Sequence, residues 1–388
     1  MNAHTREPFH IRILKGLLGI IWSIDWPLMV IVLILSAWGF VALYSAGYSF
    51  PWRIDGQIRN LAAAGAAMML FATMMPLKWT RNLAVPAYIV GLVLLVATLL
   101  FGVNTKGATR WLDIGVIRIQ PSEIMKLATP LLIAWYFQIR LTAQEGVLKW
   151  WDYLVAFVML ALPVALILKQ PDLGTSILVL ASGFAVIFFA GLSWKFLLLL
   201  ISGVLVALPI VWNSLYDYQR QRVLTLLDPS SDPLGAGFHT LQAIIAIGSG
   251  GMTGKGWMNG TQAHLDFIPE RTSDFLFAVF SEEFGFFGDI CLLGLYTLLI
   301  MRALYIASVA NTVFERLLAC AIATIFLIYS FVNMGMVSGI LPVVGVPLPF
   351  MSYGGTALLI LGICCGLLMK ISAQRRIKVS LYGDDYRS

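Results

Sequence analysis

Apolar runs close to 20 residues long recur from one end of this 388-residue chain to the other. A helix needs roughly 20 mostly apolar residues to cross a hydrocarbon core about 30 Å thick, so each run is a candidate span. They fall at 26–44, 61–77, 83–103, 124–137, 153–168, 173–192, 196–212, 275–300, 317–337 and 353–369. With 59% hydrophobic and 12% charged residues, the composition exceeds what a soluble core requires. The expectation is a single all-α polytopic membrane domain over residues 1–388 with about ten transmembrane helices. The fourth run is short and carries Lys126, and the eighth contains Glu282, Glu283 and Asp289.

The first run is too long for a signal-peptide core and is followed by further spans, which predicts that it is retained. Ahead of it, Arg12, Lys15, Gly16, Gly19 and Ser23 share one helical face, and Ile13, Leu14, Leu17, Leu18, Ile21 and Trp22 fill the other. That pattern predicts an interfacial helix over 11–24. An even number of spans puts both termini on one side. The tail over 370–388 carries Lys370, Arg375, Arg376, Lys378 and Arg387, and the N-terminus Arg6, Arg12 and Lys15, so both ends are expected to be cytoplasmic. Residues 213–273 then form a large extracytoplasmic loop between helices 7 and 8. The Gly- and Pro-dense stretch 335–355 reads as a partly re-entrant loop, since irregular backbone at membrane depth must be buried in protein or line a wet cavity.

Several functions are excluded. The formal charge of +6 is scattered over loop ends and makes no basic face, which argues against nucleic acid. Cys291, Cys320, Cys364 and Cys365 all lie in apolar runs, giving neither a disulfide framework nor a metal site. Gly254-Lys255 lacks the remainder of a phosphate-binding loop, and His4, His10, His239 and His264 lack zinc spacing. Asp384-Asp385 lies in the basic tail, with no soluble domain for nucleotide-sugar chemistry.

The polar chemistry gathers in segments expected on one face: 106–111 running on to 120–123, 170–175, 256–275 and the 335–355 loop. Asp274 sits at the mouth of the eighth span, with Ala278, Ser281 and Gly285 on its side of the helix. Such a carboxylate is a functional candidate, although a helix-start carboxylate favoured by the dipole explains its position equally well. Glu270 and Asp266 rank below it. Glu123 and Lys126 are three apart and can pair, either to neutralise two buried charges or to line a polar cavity. Lys106, Arg110, Arg220, Arg222 and Lys255 depart from the positive-inside pattern, and together would suit an anionic group such as pyrophosphate. Trp151, Trp194 and Trp257 fit an interfacial aromatic belt, whereas Trp111 adjoins Arg110 and is a candidate for the site.

The stretches KGATRWLDIG, IQPSEIMK, QPDLGTS, DPLGAGFHTLQAIIAIGSGG, GKGWMNGTQAHLDFIPERTSDFLFAVFSEEFG and LPVVGVPLPFMSYGGT strongly resemble the SEDS family of bacterial cell-wall proteins, the group containing RodA, FtsW and SpoVE. They occur in the family's order over nearly the whole chain, and the wording DPLGAGFHTLQ and LPVVGVPLPF is most like the RodA, elongation branch. The resemblance implies a ten-span protein of the bacterial inner membrane. It also implies a peptidoglycan glycosyltransferase that polymerises lipid II at the outer face. The essential carboxylate of the family's large loop corresponds to Asp274. The family often has His before the Thr-Asp pair; here Thr272 and Ser273 precede Asp274, so no role carries over for that His.

The chemistry implied is attack by the 4-hydroxyl of the acceptor sugar on the anomeric carbon of an undecaprenyl-pyrophosphate-linked glycan, with inversion. Asp274 would act as general base, and Arg110, Lys106, Arg220 or Lys255, with or without a divalent cation, would offset the leaving charge. Implied partners are a class B penicillin-binding protein, of the penicillin-binding protein 2 type, and the elongation machinery organised by MreB. Two other readings stay open on the residues: a lipid II flippase, which also needs a polar-lined bundle, and a non-catalytic scaffold.

Overall fold

The computed structural model describes residues 23–105, 108–113, 118–214, 220, 224, 236–265, 267–268 and 270–382. The expected interfacial helix over 11–24 lies almost wholly outside the described residues, as do Lys106, Arg222 and Asp266.

The chain is a polytopic helical membrane protein. In chain order its helices are α1 (Trp26–Ala46), α2 (Pro51–Thr73), α3 (Leu77–Asn82), α4 (Ala84–Phe101), α5 (Pro121–Ala143), α6 (Trp150–Lys169), α7 (Leu173–Phe189), α8 (Trp194–Ser214), α9 (Ala236–Gly250), α10 (Thr261–His264), α11 (Leu276–Ser308), α12 (Val313–Val337) and α13 (Gly355–Tyr382). Among these, α1, α2, α4 to α8 and α11 to α13 coincide with the ten apolar runs. Six of them (α1, α4, α6, α11, α12 and α13) are long and apolar enough to cross a membrane by length and composition alone. Helix α7 has only 17 residues, and α2 and α5 carry ionisable residues that α2 places near one end and α5 turns inward.

Two boundaries differ from the sequence expectation for identifiable reasons. Helix α5 extends to 23 residues because Pro121 starts it at N1 and its first turn is buried in protein. Helix α11 reaches 33 residues through a kink at Gly285, whose φ of 65° and ψ of −169° are non-helical. At the kink the turn segment 251–256 docks on the opened backbone. Lys255 and Gly256 N–H donate to the carbonyls of Glu282 and Glu283 at 3.0 Å each, and Phe286 and Phe287 N–H donate to Gly251 and Met252 carbonyls at 2.9 and 3.1 Å. The loop therefore satisfies groups that the broken helix leaves open.

Helix α12 is the axis of the bundle, packing on α11, α7 and α5, while α13 runs along α2. The α2–α13 contact is close because Gly362 and Gly366, one turn apart, face α2 backbone: an added Cβ would lie 2.4 Å from the Ala64 carbonyl oxygen and 2.5 Å from that of Met68. Without a hydrophobic drive between helices in lipid, such small-residue approaches carry the packing. Helix α13 continues to Tyr382, so the basic tail begins as helix.

A small element absent from the all-α expectation fills the α4–α5 connection. Strands β1 (Val103–Thr105), β2 (Ala108–Asp113) and β3 (Arg118–Ile119) form an antiparallel sheet in that order, with Thr105 opposite Ala108 and Leu112 opposite Ile119. At the same end of the bundle the chain leaves α12 at Val337 and follows an irregular path to Gly355, as the Gly/Pro composition predicted.

Candidate active site

The sheet, the first turns of α5 and α7, the turn before α11 and the irregular loop before α13 enclose a cavity of about 200 Å³. Its lining includes Arg110, Trp111, Glu123, Lys126 and Asp274, all singled out from sequence, together with Gln120, Asp172, Thr175 and Tyr353.

Strand β2 supplies Arg110 and Trp111. The Arg110 guanidinium donates to the Pro171 carbonyl, while its Nε is buried with no partner. Helix α5 supplies the Glu123–Lys126 pair: Lys126 Nζ lies 2.6 Å from Glu123 Oε1, with both side chains almost wholly buried. The Tyr329 hydroxyl of α12 donates to Glu123 Oε2 at 3.2 Å and accepts from Lys126. The two sequence readings of this pair are both realised, because it neutralises itself and also lines the cavity. Helix α7 begins at Asp172, whose carboxylate accepts from Thr175 N–H at 3.2 Å, Thr175 Oγ1 at 2.8 Å and Gln120 Nε2 at 3.0 Å.

Asp274 lies on the turn before α11. Its carbonyl accepts from Asn333 Nδ2 at 2.8 Å, and the same amide donates to the Val346 carbonyl at 2.7 Å. The adjacent Gly345 has φ +70°, and a Cβ there would meet Asp274 Oδ2 at 3.3 Å, so only glycine lets the backbone pass this close without strain. The turn is braced by Tyr353 N–H donating to Thr272 O at 3.0 Å, by Arg53 on the Thr272 hydroxyl, and by Arg271, which donates to Ala46 O at 2.7 Å and Ser49 Oγ at 2.6 Å.

The other sequence candidates lie elsewhere. Lys255 is 2.6 Å from Glu282 and 2.8 Å from Thr261 Oγ1; Glu282 also accepts from Thr261 and Gln262 N–H. Its charge therefore neutralises a buried carboxylate at the α11 kink and does not reach the cavity. Arg220 donates to the carbonyls of Trp212 and Asn213 at 3.0 and 2.7 Å, closing the end of α8. Glu270 accepts from Ser273 Oγ at 3.0 Å and is not part of the lining. Trp151, Trp194 and Trp257 are all exposed, as a belt requires, and Trp257 also donates to Val41 O at 3.1 Å. Sequence reasoning marked the 170–175 segment without singling out Asp172, and it missed Tyr329 and Asn333. The first carries a plain N-cap signature, and the others are isolated polar residues within an apolar helix.

The cavity thus holds two cations, Arg110 and Lys126, and three carboxylates, Glu123, Asp172 and Asp274. Within the wall Glu123 accepts from Lys126 and Tyr329, and Asp172 from Gln120 and Thr175. Among the described residues no group of three His, Cys, Asp or Glu side chains has metal-holding geometry.

A polytopic helical protein whose charged cavity opens at one end of the bundle, beneath a Gly/Pro loop, is the class that fold and site define. A family model described as a cell cycle protein, covering FtsW, RodA and SpoVE, matches residues 20–377. The chain belongs to that family. It is 46% identical over 355 residues to the peptidoglycan glycosyltransferase MrdB of Escherichia coli K12, covering 91% of this chain and 95% of the relative. It is also 35% identical over 365 residues to a probable peptidoglycan glycosyltransferase FtsW of Trichlorobacter lovleyi, covering 90% and 93%. Among solved structures, it is similar to a chain of a peptidoglycan synthase complex that coordinates polymerisation and crosslinking (TM-score 0.79, 33% identity, 90% and 98% covered). The rod-shape-determining protein RodA of Thermus thermophilus matches with a TM-score of 0.68 at 30% identity, covering 90% and 97%.

Proposed function

We propose that this chain is a peptidoglycan glycosyltransferase of the RodA type, polymerising lipid II into glycan strands at the outer face of the bacterial inner membrane, with both termini cytoplasmic. The observation that carries the reading is the single cavity joining Asp274 to Arg110 and Lys126. It combines a base and two cations in a space sheltered by protein, as transfer from a pyrophosphate-linked donor requires.

In this reading the growing strand, held by undecaprenyl pyrophosphate, is the donor. Asp274 takes the proton of the acceptor GlcNAc 4-hydroxyl as the oxygen attacks the anomeric carbon and the sugar–phosphate bond breaks with inversion. A positioned base contributes about 10²- to 10⁴-fold. The Lys126 ammonium would hold the charge that the pyrophosphate already carries in the bound donor, and the Arg110 guanidinium the charge that develops as it departs; fixed donors in a water-poor site are worth more than the same groups in water. A class B penicillin-binding protein would crosslink the product, within the elongation machinery organised by MreB.

The test is gel analysis of strands formed from labelled lipid II by the purified protein with its cognate class B penicillin-binding protein, transpeptidation being blocked by a β-lactam. Long strands are expected. A protein that makes none but moves lipid II across sealed vesicles is a flippase, and the reading fails.

A further inference from the structure

Among the buried polar side chains of helix α12 that do not line the cavity are Tyr329 at 1% and Asn333 at 0% exposure. Four residues apart, they share one helix face and stand about 6 Å apart along the axis. Each reaches a different charged edge of the cavity. Tyr329 holds the Glu123–Lys126 pair, its hydroxyl accepting from Lys126 while donating to Glu123 Oε2. Asn333 holds Asp274 through its carbonyl and ties it to Val346 of the Gly/Pro loop. Both partners of the Asn333 amide nitrogen are carbonyl oxygens, so the orientation of the amide is fixed.

Buried polar side chains in an apolar helix are costly unless engaged; both amide hydrogens of Asn333 are used while its Oδ1 accepts from none of the described residues, and a tyrosine or asparagine could serve only to fasten neighbouring helices. These two do more than that. Lys126 comes from α5 and Asp274 from the turn before α11, two segments that α12 lies between and packs against. Lys126 donates to the Tyr329 hydroxyl and the Asp274 carbonyl accepts from Asn333, so a side chain of the bundle axis reaches each segment. Ser330, between them, makes a useful contrast, since its hydroxyl bonds only to Phe326 and Leu327 carbonyls of its own helix.

We infer that Tyr329 and Asn333 are positioning residues, and that one turn of α12 acts as an internal ruler setting the distance between the cation at the pyrophosphate and the base at the acceptor hydroxyl. This rests on the polymerase reading above. Under it the two residues act on different steps. Tyr329 fixes a group that meets charge already present in the bound donor, so its loss weakens binding. Asn333 fixes a group whose work is done in the transition state, so its loss slows turnover.

The experiment compares wild type, Tyr329→Phe, Asn333→Leu and the control Ser330→Ala. Each is purified with the class B partner and assayed for initial polymerisation rate against lipid II concentration and for melting temperature. Tyr329→Phe removes one oxygen, and Asn333→Leu keeps the branching at Cγ while removing both donors. Tyr329→Phe should raise KM about tenfold with kcat nearly unchanged, the loss of one bond to a charged group. Asn333→Leu should lower kcat about 100-fold with KM nearly unchanged, as expected when a reacting group shifts by about 1 Å. Ser330→Ala should match wild type. Wild-type constants in Tyr329→Phe overturn the ruler even if Asn333→Leu does not fold. So do changes in kcat and KM together that track a lowered melting temperature, the mark of a purely structural role. Active variants beside an active wild type defeat the ruler alone, whereas a wild type that makes no strands defeats the polymerase reading and the ruler with it.

Discussion

Replacing Gly285 with alanine should unfasten the segment that leads into Asp274, and the size of the effect can be worked from the geometry. At φ 65° and ψ −169° the backbone occupies a region essentially restricted to glycine, which costs another residue about 1–3 kcal/mol. The new Cβ would also lie 2.2 Å from Gly254 N and 2.8 Å from the Thr253 carbonyl carbon. Both are backbone atoms, so no rotamer change relieves the contact. The loop must lift from the helix, with loss of some or all of the hydrogen bonds that Lys255, Gly256, Phe286 and Phe287 N–H donate across the kink, each worth about 1 kcal/mol net. The sum is about 3–6 kcal/mol, or a fall in melting temperature of roughly 4–7 °C for a chain of this size. Unfolding can be followed by a thiol-reactive dye, because Cys320, Cys364 and Cys365 are buried, once the exposed Cys291 is replaced by serine. Gly294→Ala on the same helix is the internal control, since a Cβ there meets nothing within 4 Å. A Gly285→Ala protein that melts with the Gly294→Ala control would refute the reasoning about the kink.

Three further outcomes are expected. Lys255→Met should destabilise by about 3 kcal/mol because it leaves Glu282 buried without its cation, and adding Glu282→Gln should restore part of the loss in the same dye assay. Gly345→Ala should cut polymerisation at least about tenfold, because its Cβ would lie 3.3 Å from the Asp274 carboxylate and displace it, while melting falls only by what the roughly 1–2 kcal/mol cost of a positive φ gives; equal activity would remove the steric argument. Burial would raise the Asp25 carboxyl, but bonds from Arg302 and Ser372 outweigh it and hold it below the usual carboxylate value. Its folded pKa being depressed, its stabilisation is present above about pH 4 and lost as pH falls through and below that range. The melting deficit of Asp25→Asn should therefore be full at pH 7 and shrink in acid; a deficit independent of pH would contradict the assignment.

Much of this molecule is legible in its sequence because lipid leaves the backbone few options. The ten apolar runs mark the ten long helices, and the Gly/Pro stretch before α13 marks the irregular loop. Arg110, Trp111, Glu123, Lys126 and Asp274 could be picked out because a charge or a tryptophan at a span mouth stands against an apolar background. The same contrast misleads where the partner is remote in sequence. Lys255 looks like a cation awaiting an anion until Glu282, 27 positions on, occupies it. Asp172 hides behind its capping role. Tyr329 and Asn333 give no signal, because an isolated tyrosine or asparagine in an apolar helix reads alike whether it faces a neighbour or a cavity wall. The three-stranded sheet was missed because strands of two to six residues are too short for a period-two pattern to emerge.

The most direct test of the account is the rate of glycan strand formation by Asp274→Asn, purified with its class B partner and assayed beside wild type on labelled lipid II. The substitution keeps the shape of the side chain and leaves the backbone bond from Asn333 in place. It removes the base. The account predicts a folded protein that still binds lipid II and polymerises it at least about 100-fold more slowly. Substantial residual polymerisation by that variant would contradict the assignment of Asp274 as the base.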